Sequence, residues 1–186
     1  MERVDRLRDD YDITIEGRAY LLRPDTPQEG RVREERPGES DDELSEPLRS
    51  QARDANLIMR PPRNTPNSLY SLQATEYAQE NGKFMEYHHA AYKAYWDERA
   101  DLGDPSVLAE IGASVGLDGN ELQERVESGY YSQRVVDQYQ EALGYGIRGI
   151  PTFVFDNLLF SGAQPYEVFQ RVMDKALEYR AADNDA

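Results

Sequence analysis

Near the start of the chain, apolar and polar residues alternate with the period of a half-buried β-strand. The alternation runs from Ile13 to Leu21, with Thr14 and Glu16 among its polar positions. Residues 1–11 before it have the spacing of the end of a helix. The pattern therefore predicts a helix end followed by a strand.

Helical periodicity dominates the middle of the chain, from about residue 65 to residue 144. Five helical stripes follow one another, and their caps or first residues are Thr65, Phe84, Asp104, Asp118 and Tyr131. Thr65 and Asp104 are each followed by proline, the residue favoured at the first helical position. Between the predicted strand and this block, the segment from Pro24 to about Ser50 is polar, which favours a long loop or a weak helix.

The last forty residues predict a β-hairpin and a closing helix. Thr152–Phe155 is rich in β-forming residues, Asp156-Asn157 supplies a two-residue turn, and Leu158–Phe160 leads the chain back. Pro165 then opens a helix with an apolar stripe. The plan is strand, helical block, hairpin and helix.

Composition narrows the function classes. The formal net charge is -15 over 186 residues, so the surface repels the phosphate backbone and we expect no nucleic-acid partner. No apolar run is long enough to span a bilayer, and residues 1–20 lack a signal-peptide core, so we expect no membrane association and a cytoplasmic protein. The chain has no cysteine, which excludes disulfides and thiolate metal sites within it.

The two histidines do not predict a metal site. His88 and His89 are adjacent, so on a helix their side chains point about 100° apart and cannot bind one ion together. No carboxylates with metal-ligand spacing accompany them. We expect structural roles for both and no bound metal.

Five short sequence motifs, taken in order, resemble those of one known family. They are Leu22–Gly30 (LRPDTPQEG), Asn64–Asn67 (NTPN), Asp101–Asp104 (DLGD), Gly149–Thr152 (GIPT) and Ser161–Pro165 (SGAQP). From about Val4 to Leu177 the chain resembles the FrnE-like group of DsbA-family oxidoreductases. The resemblance implies an α/β thioredoxin-like fold of the DsbA type with a helical insertion. It also implies thiol–disulfide oxidoreductase activity.

The resemblance also divides the chain into parts. Residues 1–62 would be the N-terminal part of the thioredoxin-like domain, with a helix end, a strand and a long polar loop. Residues 63–145 would be an all-helical insertion, and residues 146–182 the C-terminal part, with a proline loop, a hairpin and a helix. Residues 183–186 would be a polar tail.

The family's first strand and its Cys-x-x-C motif have no counterpart in this sequence. In such folds that strand is central, between the strand at residues 13–21 and the hairpin. Without it two rows of backbone groups lose their partners, at roughly 1–3 kcal/mol for each buried group. We therefore expect a truncated record, in which the missing strand and motif lie just before Met1.

The remaining site implied by the resemblance is the proline loop. Gly149, Ile150, Pro151 and Thr152 correspond to the family's cis-proline loop, which binds the backbone of a peptide or of glutathione. The implied partner is a thiol- or disulfide-containing protein or a small thiol. No residue present can act as the catalytic nucleophile, because serine or threonine would need an activating base. No cofactor is implied.

Two other functions remain open from the sequence. Glutathione-dependent 2-hydroxychromene-2-carboxylate isomerases and kappa-class transferases share this architecture, and they use a serine-type site that is equally absent from the chain. A non-catalytic thioredoxin-like binding module would use the loop at Ile150-Pro151 and a helical cleft. Upstream sequence would separate the two enzymes, because a Cys-x-x-C motif there supports exchange and a serine supports isomerisation. A stable, soluble chain with no upstream coding sequence would favour the binding module.

Overall fold

The computed structural model of the chain describes residues 2–184. Its helices are α1 (Glu2–Asp10), α2 (Leu48–Asp54), α3 (Leu69–Glu80), α4 (Phe84–Trp96), α5 (Pro105–Ser114), α6 (Gly119–Glu127), α7 (Ser132–Gly144) and α8 (Tyr166–Asn184). Its strands are β1 (Arg31–Val32), β2 (Asn64–Thr65), β3 (Thr152–Phe155) and β4 (Leu158–Ser161). Among the residues described, no helix is long and apolar enough to cross a membrane.

The chain forms two compact units. The first joins Met1–Ile15 to Glu141–Ala186, and the second is Glu16–Gln140. The strands pair as two separate antiparallel ribbons, β1 with β2 and β3 with β4. Each unit contains one of these ribbons and a hydrophobic cluster of its own.

The first unit is built on the contact of α1 with α8 and the hairpin of β3 and β4. The residues of its core are Leu7, Tyr166, Phe169 and Met173, with Phe153, Phe155 and Phe160 packed against them. The ring centroids of Phe153 and Phe160 lie 4.7 and 4.8 Å from that of Phe169. Because Phe153 and Phe160 are cross-strand partners, one face of the hairpin is an aromatic surface that α8 covers.

Two tyrosine–aspartate hydrogen bonds join the C-terminal end of α1 to the first half of α8. The hydroxyl of Tyr11 donates to Asp174 Oδ1 at 2.7 Å, and the hydroxyl of Tyr166 donates to Asp10 Oδ2 at 2.5 Å. The bond to Asp174 raises the pKa of Tyr11 to about 12, since it stabilises the protonated phenol. Each helix thus supplies an acceptor for a tyrosine on or beside the other.

The second unit contains a helical core formed by α3, α4, α5 and α6. Its most buried residues are Ala74, Ala78, Tyr87, Leu108, Leu122, Val126 and Tyr131. The predicted caps of α5 and α6 are confirmed: Asp104 accepts from the backbone N–H of Ser106 at 2.8 Å, and Asp118 from that of Glu121 at 3.0 Å. The predicted hairpin, its turn and the closing helix are confirmed as well.

The predicted strand over Ile13–Leu21 is wrong as a paired strand. The alternation is real, because exposed residues alternate with partly or fully buried ones from Asp12 to Ala19. No other strand in the described part of the chain pairs with this segment, and residues 12–21 consequently have no regular secondary structure. A β-strand is assigned from its backbone hydrogen bonds to a neighbouring strand, and an alternating side-chain pattern alone does not provide that neighbour.

Glutamine side chains bind this segment in place of a neighbouring strand. Gln79 on α3 accepts from the N–H of Gly17 at 2.8 Å, and Gln138 on α7 accepts from the N–H of Ala19 at 2.5 Å. Ala19 and Gln138 are both buried, at 6% and 8% exposure. The two amide oxygens satisfy N–H groups two residues apart, which lie on the same edge of an extended chain.

The boundary predicted at residues 62 and 63 does not coincide with a boundary between units. Residues 16–62 belong with the helices, because β1 pairs with β2 and the side chain of Asn67 donates to the carbonyl of Thr26 at 2.6 Å. The hydrogen bonds that Gln79 and Gln138 accept from Gly17 and Ala19 also attach this segment to the helices. The long polar segment thus belongs to the helical unit.

Thr65 does not cap a helix, contrary to the prediction. It lies in β2, where it pairs with Arg31, and α3 begins four residues later at Leu69. The side chain of Asn67 accepts from the N–H of Leu69 at 2.8 Å and so acts near the helix start. Residues 183 and 184, predicted as part of a polar tail, lie in α8, and residues 185 and 186 are outside the described residues.

Replacing Gln138 by alanine should lower the free energy of unfolding by about 1–3 kcal/mol, because the buried N–H of Ala19 would lose its acceptor. Gln133→Ala on the same helix is the matched control, since Gln133 is exposed and, among the residues described, its side chain bonds only to Asp137 one turn away. Denaturant unfolding of both variants measures the difference. Equal midpoints for the two variants would show that the Gln138 bond does not hold the segment.

Candidate functional site

The loop that precedes β3 is the candidate site. The peptide bond between Ile150 and Pro151 is cis, as the resemblance predicts. The carbonyl of Pro151 accepts from the N–H of Gly162 at 2.8 Å, so the loop is joined to the end of β4. Ile150 is 52% exposed and Pro151 is also exposed. The loop thus presents its backbone and one apolar side chain at the surface.

Two hydroxyl groups fix the loop to the hairpin. Thr152 Oγ1 donates to the carbonyl of Gly149 at 2.8 Å, and it lies 2.7 Å from Ser161 Oγ. The side chain of Gln164 donates to the carbonyl of Ser161 at 3.0 Å. The four predicted residues 149–152 are therefore adjacent to residues 161–164, which belong to the last of the five motifs.

One edge of β3 has no neighbouring strand within the described part of the chain. The hydrogen bond from the Gly162 N–H to the Pro151 carbonyl and the register of the hairpin show that the backbone groups of residues 151, 153 and 155 point toward β4. The N–H and C=O groups of Thr152 and Val154 consequently point to the opposite edge. This open edge continues from the proline loop along the strand.

The outer face of the hairpin is also open. Val154 and Leu159 are cross-strand partners, and they are 58% and 52% exposed. Their neighbours on the same face are Thr152 and Ser161. An exposed apolar pair next to an open strand edge is a surface on which an extended peptide can pair.

The site contains no reactive group of its own. The hydroxyls of Thr152 and Ser161 bond to each other and to a carbonyl, and no base among the described residues bonds to them. The chain has no thiol to supply a nucleophile. The arrangement can therefore bind a backbone, while the chemistry of exchange needs a thiolate from elsewhere.

Three of the other motifs contact one another in the helical unit. Asn67 bonds to Thr26, Asn64 donates to Asp101 at 2.8 Å, and Asp101 accepts from the N–H of Gly103 at 2.9 Å. These contacts join the segments 22–30, 64–67 and 101–104. Their residues act as a structural junction, and none of them lies in the proline loop.

The histidines lie on α4. The ring of His88 contacts those of Phe84 and Tyr92, with centroids 5.3 and 4.7 Å away. Burial lowers the pKa of His88 to about 4, so its side chain is neutral at neutral pH. Among residues 2–184, no group of three histidine or carboxylate side chains could hold a metal ion.

This fold and this loop define a DsbA-type thioredoxin-like protein. Residues 1–174 match the model of the DSBA-like thioredoxin domain, and the chain belongs to that family. The predicted fold class, a thioredoxin-like α/β fold with a helical insertion, is confirmed.

Two solved structures are similar to the chain. The first is a Streptomyces coelicolor protein assigned as a DsbA oxidoreductase, SCO1869, with 27% identity and a TM-score of 0.64 over 69% of this chain and 57% of that one. The second is a Nitrosomonas europaea protein assigned as a protein disulfide isomerase, with a TM-score of 0.63 over 96% of this chain and 89% of that one. Its identity of 14% supports the fold alone.

The Bacillus subtilis protein YwbO is 27% identical to the chain over 112 residues. The match covers 58% of this chain and 54% of YwbO. The chain thus spans little more than half the length of YwbO and of SCO1869.

Ser161 is a site residue that the sequence prediction omitted. Its position could have been found from the hairpin, because a two-residue turn at Asp156-Asn157 places residue 161 opposite residue 152. The hydrogen bond from the Gly162 N–H to the Pro151 carbonyl follows from the same register.

Replacing Thr152 by valine should lower the free energy of unfolding by about 0.5–1.5 kcal/mol, because the loop would lose the bond to Gly149 while keeping a β-branched side chain. Thr152→Ser keeps the hydroxyl and is the matched control. Denaturant unfolding of the two variants is the measurement. A valine variant as stable as the serine variant would contradict the stabilising role of the hydroxyl.

Proposed function

We propose that this chain is the scaffold and partner-binding part of a DsbA-class thiol–disulfide oxidoreductase. In this proposal the redox cysteine pair comes from sequence outside these 186 residues. The observation that carries it is the exposed proline loop at the head of an open strand edge, in a chain that matches the DSBA-like domain over residues 1–174.

The open edge of β3 has the geometry for a further strand. Thr152 and Val154 offer alternate N–H and C=O groups, which is the pattern that an added strand pairs with. A strand seated there would lead to a cysteine pair near the proline loop. A partner protein or small thiol would then contact Ile150 and Pro151, both of which are exposed.

The exchange itself takes place between the two sulfurs of the cysteine pair and the two sulfurs of the partner's disulfide. A thiolate of the cysteine pair attacks one sulfur of the partner's disulfide, forms a mixed disulfide and releases the other sulfur as a thiolate. The second cysteine of the pair then displaces the partner, which leaves reduced while the pair becomes oxidised. The reverse sequence oxidises the partner, and the two reduction potentials decide the direction.

The absence of cysteine favours one second candidate, a non-catalytic binding module. Such a module would use the same loop and the same open edge to hold an extended peptide, with no chemistry. The proposal and this candidate differ in one property, the presence of a thiol in the native protein.

The intact mass of the protein isolated from its source cells, after reduction and treatment with iodoacetamide, tests the proposal. We expect a mass above 21.3 kDa and two alkylated thiols. A larger mass with no alkylation would instead support a serine-type glutathione enzyme. A folded protein of 21.3 kDa with no alkylation would refute the redox proposal and support the binding module.

A further inference from the structure

A charged pocket in the helical unit is not used by the proposed function. It has a volume of about 500 Å³, and its lining residues are Asp42, Arg60, Arg63, Asp97, Glu98 and Arg99. We call it the arginine pocket. Pockets of this size are in the range that holds small ligands.

The walls of the arginine pocket are held by backbone contacts. The N–H of Arg60 donates to the carbonyl of Trp96 at 2.7 Å, and a guanidinium N–H of Arg60 donates to the carbonyl of Asp97 at 2.5 Å. Pro61 and Pro62 are buried and fix the chain just before Arg63. The pocket is thus positioned before any ligand binds.

One arginine of the pocket has no carboxylate partner within the part of the chain that the structure describes. Asp97 pairs with Arg60, and Asp42 is shared between Arg60 at 3.6 Å and Arg99 at 3.2 Å. Glu98 pairs with Lys93, which does not line the pocket. Three carboxylates and three arginines therefore line the pocket, and the ion pairs of the three carboxylates leave Arg63 without a carboxylate partner among residues 2–184.

Arg63 is the arginine without a partner among the described residues, and its side chain is exposed. Arg99 is also incompletely satisfied, because its Nε is buried and has no acceptor within the described part of the chain. A buried donor of a charged group that lacks an acceptor is costly, so a new acceptor nearby is favoured.

We propose that the arginine pocket binds a small molecule through its carboxylate, with Arg63 as the main contact and Arg99 as the second. A guanidinium matches the two oxygens of a carboxylate in a bidentate pair. A carboxylate supplies the one negative charge that would pair with Arg63, whereas a phosphate dianion would face the carboxylates of Asp42, Asp97 and Glu98 with excess charge. The side of the ligand away from the carboxylate would fill the rest of the cavity.

The test uses the full chain and follows binding by backbone amide NMR shifts. The probes are propionate, N-acetyl-glycylglycine with a free C-terminal carboxylate, and the amide of the same peptide. We expect shifts centred on residues 60–63 and 97–99, and the free acid should bind at least about tenfold more tightly than the amide. Binding of propionate as well would identify a free organic acid as the ligand type, and binding of the peptide acid alone would identify a peptide C-terminus.

Two pairs of variants separate the pocket from bulk charge. Arg63→Gln should weaken binding of the free acid about tenfold, while Arg171→Gln, the same charge change at an exposed site on α8, should leave it unchanged. Asp42→Asn should strengthen binding several-fold, because it frees Arg60 and Arg99, while Asp41→Asn next to it should not.

Equal binding of the acid and the amide, equal effects within either pair of variants, or no shifts at millimolar probe would overturn the proposal. None of these results depends on a cysteine or on the proline loop. Failure of this inference is therefore distinct from failure of the redox proposal.

Discussion

Backbone pairing is the constraint on which the first unit depends. Every N–H and C=O group of a strand needs a partner, and an interior strand needs partners on both edges. β3 has β4 on one edge, while Thr152 and Val154 leave the other edge open. The proline loop lies at the start of that open edge, and the exposed side chains of Val154 and Leu159 lie on the outer face of the same hairpin. The same open edge provides the place for a partner strand in the proposed function.

The helical unit obeys a different constraint. Its core is formed by side chains packed between helices, and its helices satisfy their own backbone groups. The extended segment that enters this unit is held by the amides of Gln79 and Gln138. These two amides take the place of strand partners at Gly17 and Ala19, and the arginine pocket on the unit can act independently of any redox chemistry.

Features set by local chemistry could be predicted from the sequence. The caps at Asp104 and Asp118 and the turn at Asp156-Asn157 depend on a few neighbouring residues, and each lies where the pattern places it. The strand over residues 13–21 was not predictable from alternation, because its pairing depends on another strand. The arginine pocket was not predictable either, because it combines segments around residues 42, 60 and 98 that only the fold brings together.

Native-state hydrogen exchange of the four amides of β3 tests the open edge most directly. The amides of Phe153 and Phe155 point toward β4, and those of Thr152 and Val154 point away from it. We predict that Thr152 and Val154 exchange at least about tenfold faster than Phe153 and Phe155. Equal protection of all four amides would mean that the edge is already covered, and it would contradict an open edge as the place for a partner strand.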